Sequence, residues 1–211
     1  MSSPLAHAVG AVGAYMAATA PSSTQKFRGF GTLAVCVAMA VLPDMPALFV
    51  ASGVQSAGGA QKWDVVALLH GFSCGLLAAG ALAGAFPHLR ESFWSGALVL
   101  FAAHSSQALV DSATLAGVTW LAPFDWHAIG FHIAILPNAD IRILQTPFAS
   151  AVKTMLIELG ILLPLVWTAW IVGRDEGEGK SKGWIVAYAL AWPAAAALAI
   201  WCVKTNGKPA F

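Results

Sequence analysis

Charge is what this sequence has least of. Only 10% of its 211 residues are Asp, Glu, Lys or Arg, against the roughly 25% that a soluble domain needs to cover its surface. With 58% hydrophobic residues and nine tryptophans, most of the chain must face something other than water. That excludes a water-soluble globule and points to an integral membrane protein. The net charge is +1 with no basic cluster, so there is no electrostatic footprint for nucleic acid. Cysteine is scarce too. Cys36, Cys74 and Cys202 lie in apolar runs without CxxC spacing, which argues against a disulfide framework or a zinc knuckle. No GxSxG is present, so a serine nucleophile has no support from motif.

Long hydrophobic runs, by contrast, are plentiful. A spanning helix takes about 20 mostly apolar residues, and roughly six stretches approach that: 5–20, 31–51, 64–86, 93–117, 152–173 and 183–203. The expected fold class is all-α, a polytopic membrane bundle of about six transmembrane helices. The opening "MSSPLAHAVGAVGAYMAATAP" lacks a basic residue before its apolar part and carries His7, so it reads as a retained helix rather than a signal peptide. Polar or Gly-rich breaks at 21–29, 52–62, 87–92 and 173–182 mark turns at the headgroups. The stretch 118–150 holds three prolines and two tryptophans and reads as an interfacial cap, because aromatic rings favour headgroup depth. The whole of 1–211 is read as one membrane domain, with a polar-motif half over 1–125 and a C-terminal helical pair over 151–211. Six basic residues on one side of the assigned spans against five on the other leave the orientation undecided.

Ionisable residues inside spans are costly and by default face the bundle interior at a functional site. His7 begins the first span, Asp44 is late in the second, His70 early in the third and Asp111 late in the fourth. With alternating directions, all four fall toward one face of the membrane. In the fourth span His104, Gln107 and Asp111 are spaced i, i+3, i+7 and share a stripe, while His70 and Cys74 are one turn apart in the third. Imidazoles and carboxylates gathered from several helices suit a divalent ion such as Zn, Mn or Fe, which lowers the pKa of water to about 7. Hence His7, Asp44, His70, Asp111 and His104 are candidate metal ligands, and Cys74 and Gln107 candidate pocket residues. The competing reading is a set of helix caps and internal hydrogen bonds. Pro43 and Pro46 interrupt the helix around Asp44, which then caps the next turn. Ser73, Ser105, Ser106 and Thr114 bond to carbonyls one turn back. His88, His127 and His132 fall at interfaces where histidine is cheap, and Glu158 is an intramembrane acid with no evident partner. Paired imidazoles also allow haem ligation, and a transporter would need broken helices in corresponding halves, which are not evident.

Four stretches, "SPLAHAVGA" (3–11), "LPDMP" (42–46), "LLHGFSCGLL" (68–77) and "SSQALVDSATLAGVTWLAPF" (105–124), resemble in order and spacing the motifs of a family of membrane-bound metal-dependent hydrolases that includes LexA-binding inner-membrane proteins. Asp111, Thr114, Gly117, Leu121, Pro123 and Phe124 fall in step with the last motif. The resemblance covers about the first 125 residues. It implies an α-helical fold in a bacterial inner membrane, a Zn or Mn site at His7, Asp44, His70 and Asp111, and hydrolysis of a phosphoester or lipid-like substrate. The chain departs from the pattern at Pro46, where the family has a second aspartate, at Cys74, where it has a histidine, and at Gln107, where it has another. His70 aligns with the family's arginine or, after a one-residue shift, with its first histidine; His104 sits one turn ahead of Gln107 on the same stripe. These departures leave a second expectation open, a non-catalytic scaffold or accessory subunit of a membrane complex.

Overall fold

The computed structural model describes residues 2–20, 22–45, 67–115, 117–131, 133–137, 148–172 and 182–206. Pro46, the connection at 52–62, His132 and most of the connection at 173–182 lie outside the described residues. Among those described, the secondary structure is helical, with one isolated antiparallel bridge between Val118 and Ile129. The helices are α1 (Pro4–Ala18), α2 (Phe30–Val41), α3 (Phe72–Ala85), the short α4 (Pro87–Arg90), α5 (Phe93–Ser112), α6 (Phe148–Val172) and α7 (Lys182–Asn206).

Three of them, over Phe93–Ser112, Ser150–Ile171 and Val186–Thr205, are long and apolar enough to cross a membrane. The three other expected spans are shorter. The 15 residues of α1, at about 1.5 Å rise each, reach roughly 22 Å, less than the roughly 30 Å hydrocarbon core. Local chemistry sets the ends. Ser3 caps α1, its hydroxyl accepting from the Ala6 amide, with Pro4 in the first helical position, where a proline loses no helix hydrogen bond. Pro43 turns the end of α2 into a 3₁₀ turn over Leu42–Asp44. Gly71 takes an extended conformation, φ −70° and ψ 147°, before α3. This separates His70, in a helical turn at 67–70, from Cys74, so the expected common stripe of these two is interrupted.

The core sits around α1, which packs against α2, α5 and α6, while α5 also packs against α2 and α3. Ala11, Cys36, Ala40, Ala79, Ala83, Leu100 and Ala103 fill it; small residues let helices approach closely in an apolar solvent. Tyr15 pins the turn between α1 and α2, its hydroxyl accepting from the Gly29 amide at 2.8 Å. The outer helices are different: only 22% of the Ser150–Ile171 window and 11% of the Val186–Thr205 window is buried. Leu156, Leu163, Leu165, Leu190 and Ile200 stand exposed there, a pattern of apolar side chains turned outward that water would not tolerate over so large a patch.

After α5 the chain folds back along the helix ends. The Phe131 amide donates to the Ser112 carbonyl at 2.9 Å and the Leu136 amide to that of Ala113 at 3.0 Å. The turn is made at Gly117, whose φ of +64° is open to glycine and costly for other residues. The returning loop seats on α3: the Phe72 amide donates to the Trp120 carbonyl at 2.9 Å, and the Phe72 and Trp120 rings meet edge to face at 4.5 Å. Residues 118–131 therefore cover the start of α3, beside His70, while Phe124 and Phe131 project outward.

Candidate functional site

Four chain segments deliver His7, Asp44, His70 and Asp111 to one place. His7 lies in the first turns of α1, Asp44 ends the 3₁₀ turn after α2, His70 precedes the Gly71 break, and Asp111 occupies the last turn of α5. All four are buried, His7 and Asp111 completely. The contacts form a closed ring. His7 Nδ1 is 2.5 Å from Asp44 Oδ2, and His7 Nε2 is 3.2 Å from Asp111 Oδ1. His70 Nε2 is 3.2 Å from Asp44 Oδ1 and 3.7 Å from Asp111 Oδ2. Each carboxylate thus offers one oxygen to His7 and the other to His70. The Asp44 side chain meets both histidines; the turn that the sequence expects it to cap begins at residue 46, outside the described residues.

Two serines join the ring that were not legible as site residues. The Ser2 amide donates to Asp111 Oδ1 at 2.5 Å. The Ser2 hydroxyl donates to the same oxygen at 2.9 Å and lies 2.7 Å from His7 Nε2. Ser3, next in the chain, gives its amide to Glu158 Oε1 at 2.9 Å and its hydroxyl to Glu158 Oε2. Glu158 is therefore a fully buried anchor in α6, not a solitary acid. It sits at the N-terminus of α1, where a negative charge meets the positive end of the helix dipole. The available signal was Ser-Ser-Pro ahead of an apolar helix, an N-cap pattern; the pairing with an acid far along the chain has no local signature.

The remaining candidates are placed as follows. His104 is buried one turn before Gln107, its ring lying against the backbones of Gly71 and Met39 and against Gly75, where an added Cβ would overlap the imidazole. Gln107 is fully buried between His104 and Asp111 on the same helix. Neither His104 nor Gln107 is hydrogen-bonded into the ring: His104 Nε2 and both amide atoms of Gln107 lack a hydrogen-bond partner among the described residues, as does Asp111 Oδ2. Cys74 is a free, half-buried thiol, and no hydrogen bond or ion pair joins it to the ring. Ser106 and Thr114 do bond back to carbonyls three residues earlier, at 2.7 Å each, whereas the buried Ser105 hydroxyl, expected to do the same, has no hydrogen-bond partner among the described residues. His88 pairs with Thr32. Exposed His127 approaches Asp125 at 2.6 Å; its amide and ring hold the Asp125 carboxyl below the usual carboxylate range.

Among the described residues, no three His, Cys, Asp or Glu side chains already form a ready metal cage. The donor set is nonetheless of the right chemistry. His70 Nε2 lies 3.2 Å from Asp44 Oδ1 and 3.7 Å from Asp111 Oδ2. A tetrahedral ion with bonds of about 2.0 to 2.1 Å separates its ligands by about 3.3 Å, which these two distances bracket. No protein-family model, curated protein or solved structure matches the chain.

Proposed function

We propose that the chain is an integral protein of a bacterial inner membrane that holds a divalent cation, Zn or Mn, between Asp44, His70 and Asp111, and hydrolyses a phosphoester or lipid-like substrate. The observation that carries this reading is the division of carboxylate oxygens. His7 occupies one oxygen of each aspartate from one side, leaving Asp44 Oδ1 and the unbonded, buried Asp111 Oδ2 turned toward His70 Nε2. A buried carboxylate oxygen without a donor is costly, and a cation relieves that cost. The motif resemblance over the first 125 residues supports the same assignment.

In this reading His7 is a positioning residue instead of a ligand. It fixes both ligating carboxylates by their outer oxygens, which orients them and tunes their basicity. Ser2 and Ser3 tie this arrangement to α6 through Glu158. The ion would supply Lewis acidity and a water that is nucleophilic at neutral pH. The shorter α1, α2 and α3 share the bilayer with α5, α6 and α7 in a bundle of six helices, and the aromatic loop over 118–131 lies at headgroup depth.

A second reading, a non-catalytic scaffold or accessory subunit of a membrane complex, is favoured by one observation: the ring closes through direct His–Asp contacts. Elemental analysis of the protein purified in detergent separates the two. The hydrolase reading expects a stoichiometric divalent ion, lost in Asp111→Asn and Asp44→Asn, and a Tm that falls with chelator. Protein that binds no added Zn or Mn, with a Tm indifferent to chelator, leaves the scaffold.

A further inference from the structure

Beside the ring, and reaching into it at Asp111, lies a line of buried polar atoms without a hydrogen-bond partner among the described residues. His104, Gln107 and Asp111 share one stripe of α5. The two ends of that stripe show where it looks: His104 fills the space beside Gly75 of α3, its ring within hydrogen-bonding reach of the Met39 and Gly71 backbones, and Asp111 faces His7 and His70. Gln107, between them and 0% exposed, faces the same seam. Among the described residues, four atoms along it have no hydrogen-bond partner: His104 Nε2, Gln107 Nε2, Gln107 Oε1 and Asp111 Oδ2. Buried polar atoms are paired almost without exception, and an orphan is commonly a site for a ligand or water. Four on one stripe in an otherwise apolar bundle mark a place built for a polar guest.

The donor and acceptor inventory narrows the guest. Gln107 Oε1 and Asp111 Oδ2 only accept, Gln107 Nε2 only donates, and His104 Nε2 does either according to tautomer. A bare phosphate or carboxylate oxygen, which only accepts, would meet two acceptors. An ammonium, which only donates, would leave the amide nitrogen unmatched. A hydroxyl both donates and accepts. We infer that the seam of His104, Gln107 and Asp111 binds the hydroxyl groups of a polyol, the alcohol portion of the substrate, held next to the ring through the shared Asp111. This rests on the hydrolase reading and deepens it: the substrate is a phosphoester of a glycerol- or sugar-type alcohol. The polyol is either a lipid head group or a free molecule.

The test uses the full chain in detergent micelles, with short-chain phosphatidylglycerol, short-chain phosphatidylcholine and free glycerol as probes. Phosphatidylglycerol is expected to bind about tenfold more tightly than phosphatidylcholine, a modest margin for two well-placed hydrogen bonds. Gln107→Met, of similar length and without polar atoms, is expected to abolish that preference and to raise Tm, because it removes orphaned groups from the core. Gln107→Glu keeps the shape, removes the donor and is expected to abolish the preference too. Glycerol binding that depends on Gln107 assigns the site to a free polyol, and dependence confined to the lipid assigns it to a head group. The inference is overturned if neither probe binds in a Gln107-dependent way, as with bound water only, or if Gln107→Met lowers Tm. Metal content measured on the same samples keeps the outcomes apart. Protein without metal but with a Gln107-dependent preference loses the hydrolase reading and keeps the polyol site; the converse result loses only the polyol site.

Discussion

His7 and His70 face each other edge to ring, centroids 6.4 Å apart and planes inclined at 67°, across the two carboxylates that connect them. Because each histidine contacts both aspartates, four segments far apart in sequence are tied by alternating imidazole and carboxylate. Such a ring has no redundant member: removing any one leaves buried charge uncompensated on two neighbours.

His7→Ala is therefore expected to cost about 3–5 kcal/mol, the range for breaking a buried ion pair by deleting one partner. Asp44 Oδ2 and Asp111 Oδ1 would both lose their imidazole. Thermal or denaturant unfolding in micelles measures this. A variant as stable as the parent protein would mean that the carboxylates do not depend on His7.

The positioning role assigned to His7 has a separate consequence. His7→Gln retains a side chain that bonds the carboxylates and removes none of the three proposed ligands, Asp44, His70 and Asp111. Metal affinity should then fall by roughly 10- to 100-fold, as for loss of groups that orient ligands, where Asp111→Asn should abolish it. Competition with a chelator of known affinity reads both. Equal losses in the two variants would make His7 a ligand.

Glu158 anchors the Ser2–Ser3 segment from outside the ring. Glu158→Ala leaves the Ser3 amide and hydroxyl without their acceptor, and roughly 1–3 kcal/mol of destabilisation is expected. Since Ser2 bonds Asp111 on the other side, metal affinity should weaken as well, and Glu158→Gln, which preserves one carbonyl acceptor, should recover part of it. Titration with Zn under the same conditions as for His7→Gln provides the comparison.

The polar members of this site were legible because polar residues stand out in apolar helices. His7, Asp44, His70 and Asp111 are expensive in a bilayer, and their positions along successive helices place them toward one face before any coordinates are considered. Helix extent was less legible. Hydropathy alone runs through Gly71 and Pro43, whereas the backbone breaks at both, so α2 and α3 are shorter than their apolar stretches and the His70–Cys74 stripe is lost. The motif resemblance implies Cys74 in place of a ligand, yet no hydrogen bond or ion pair joins its thiol to the ring. Ser2, Ser3 and Glu158 escaped notice for a different reason: their chemistry lies in a contact between positions 3 and 158, and spacing along one chain carries no trace of such a pair.

Gly75 tests whether the polar seam is built or incidental. The His104 imidazole occupies the space where a side chain at 75 would begin, so α3 and α5 approach as they do only because that residue is glycine. Gly75→Ala should destabilise by about 1–3 kcal/mol through overpacking, despite the better helix propensity of alanine. His104→Ala empties the same space. In the double variant the alanine at 75 no longer has an imidazole to displace, so its cost should largely vanish. A double-mutant cycle is expected to yield a coupling of about 1 kcal/mol or more. Additive effects would mean that the ring of His104 lies elsewhere, and the donor at Nε2 would then be unavailable to any guest in the seam.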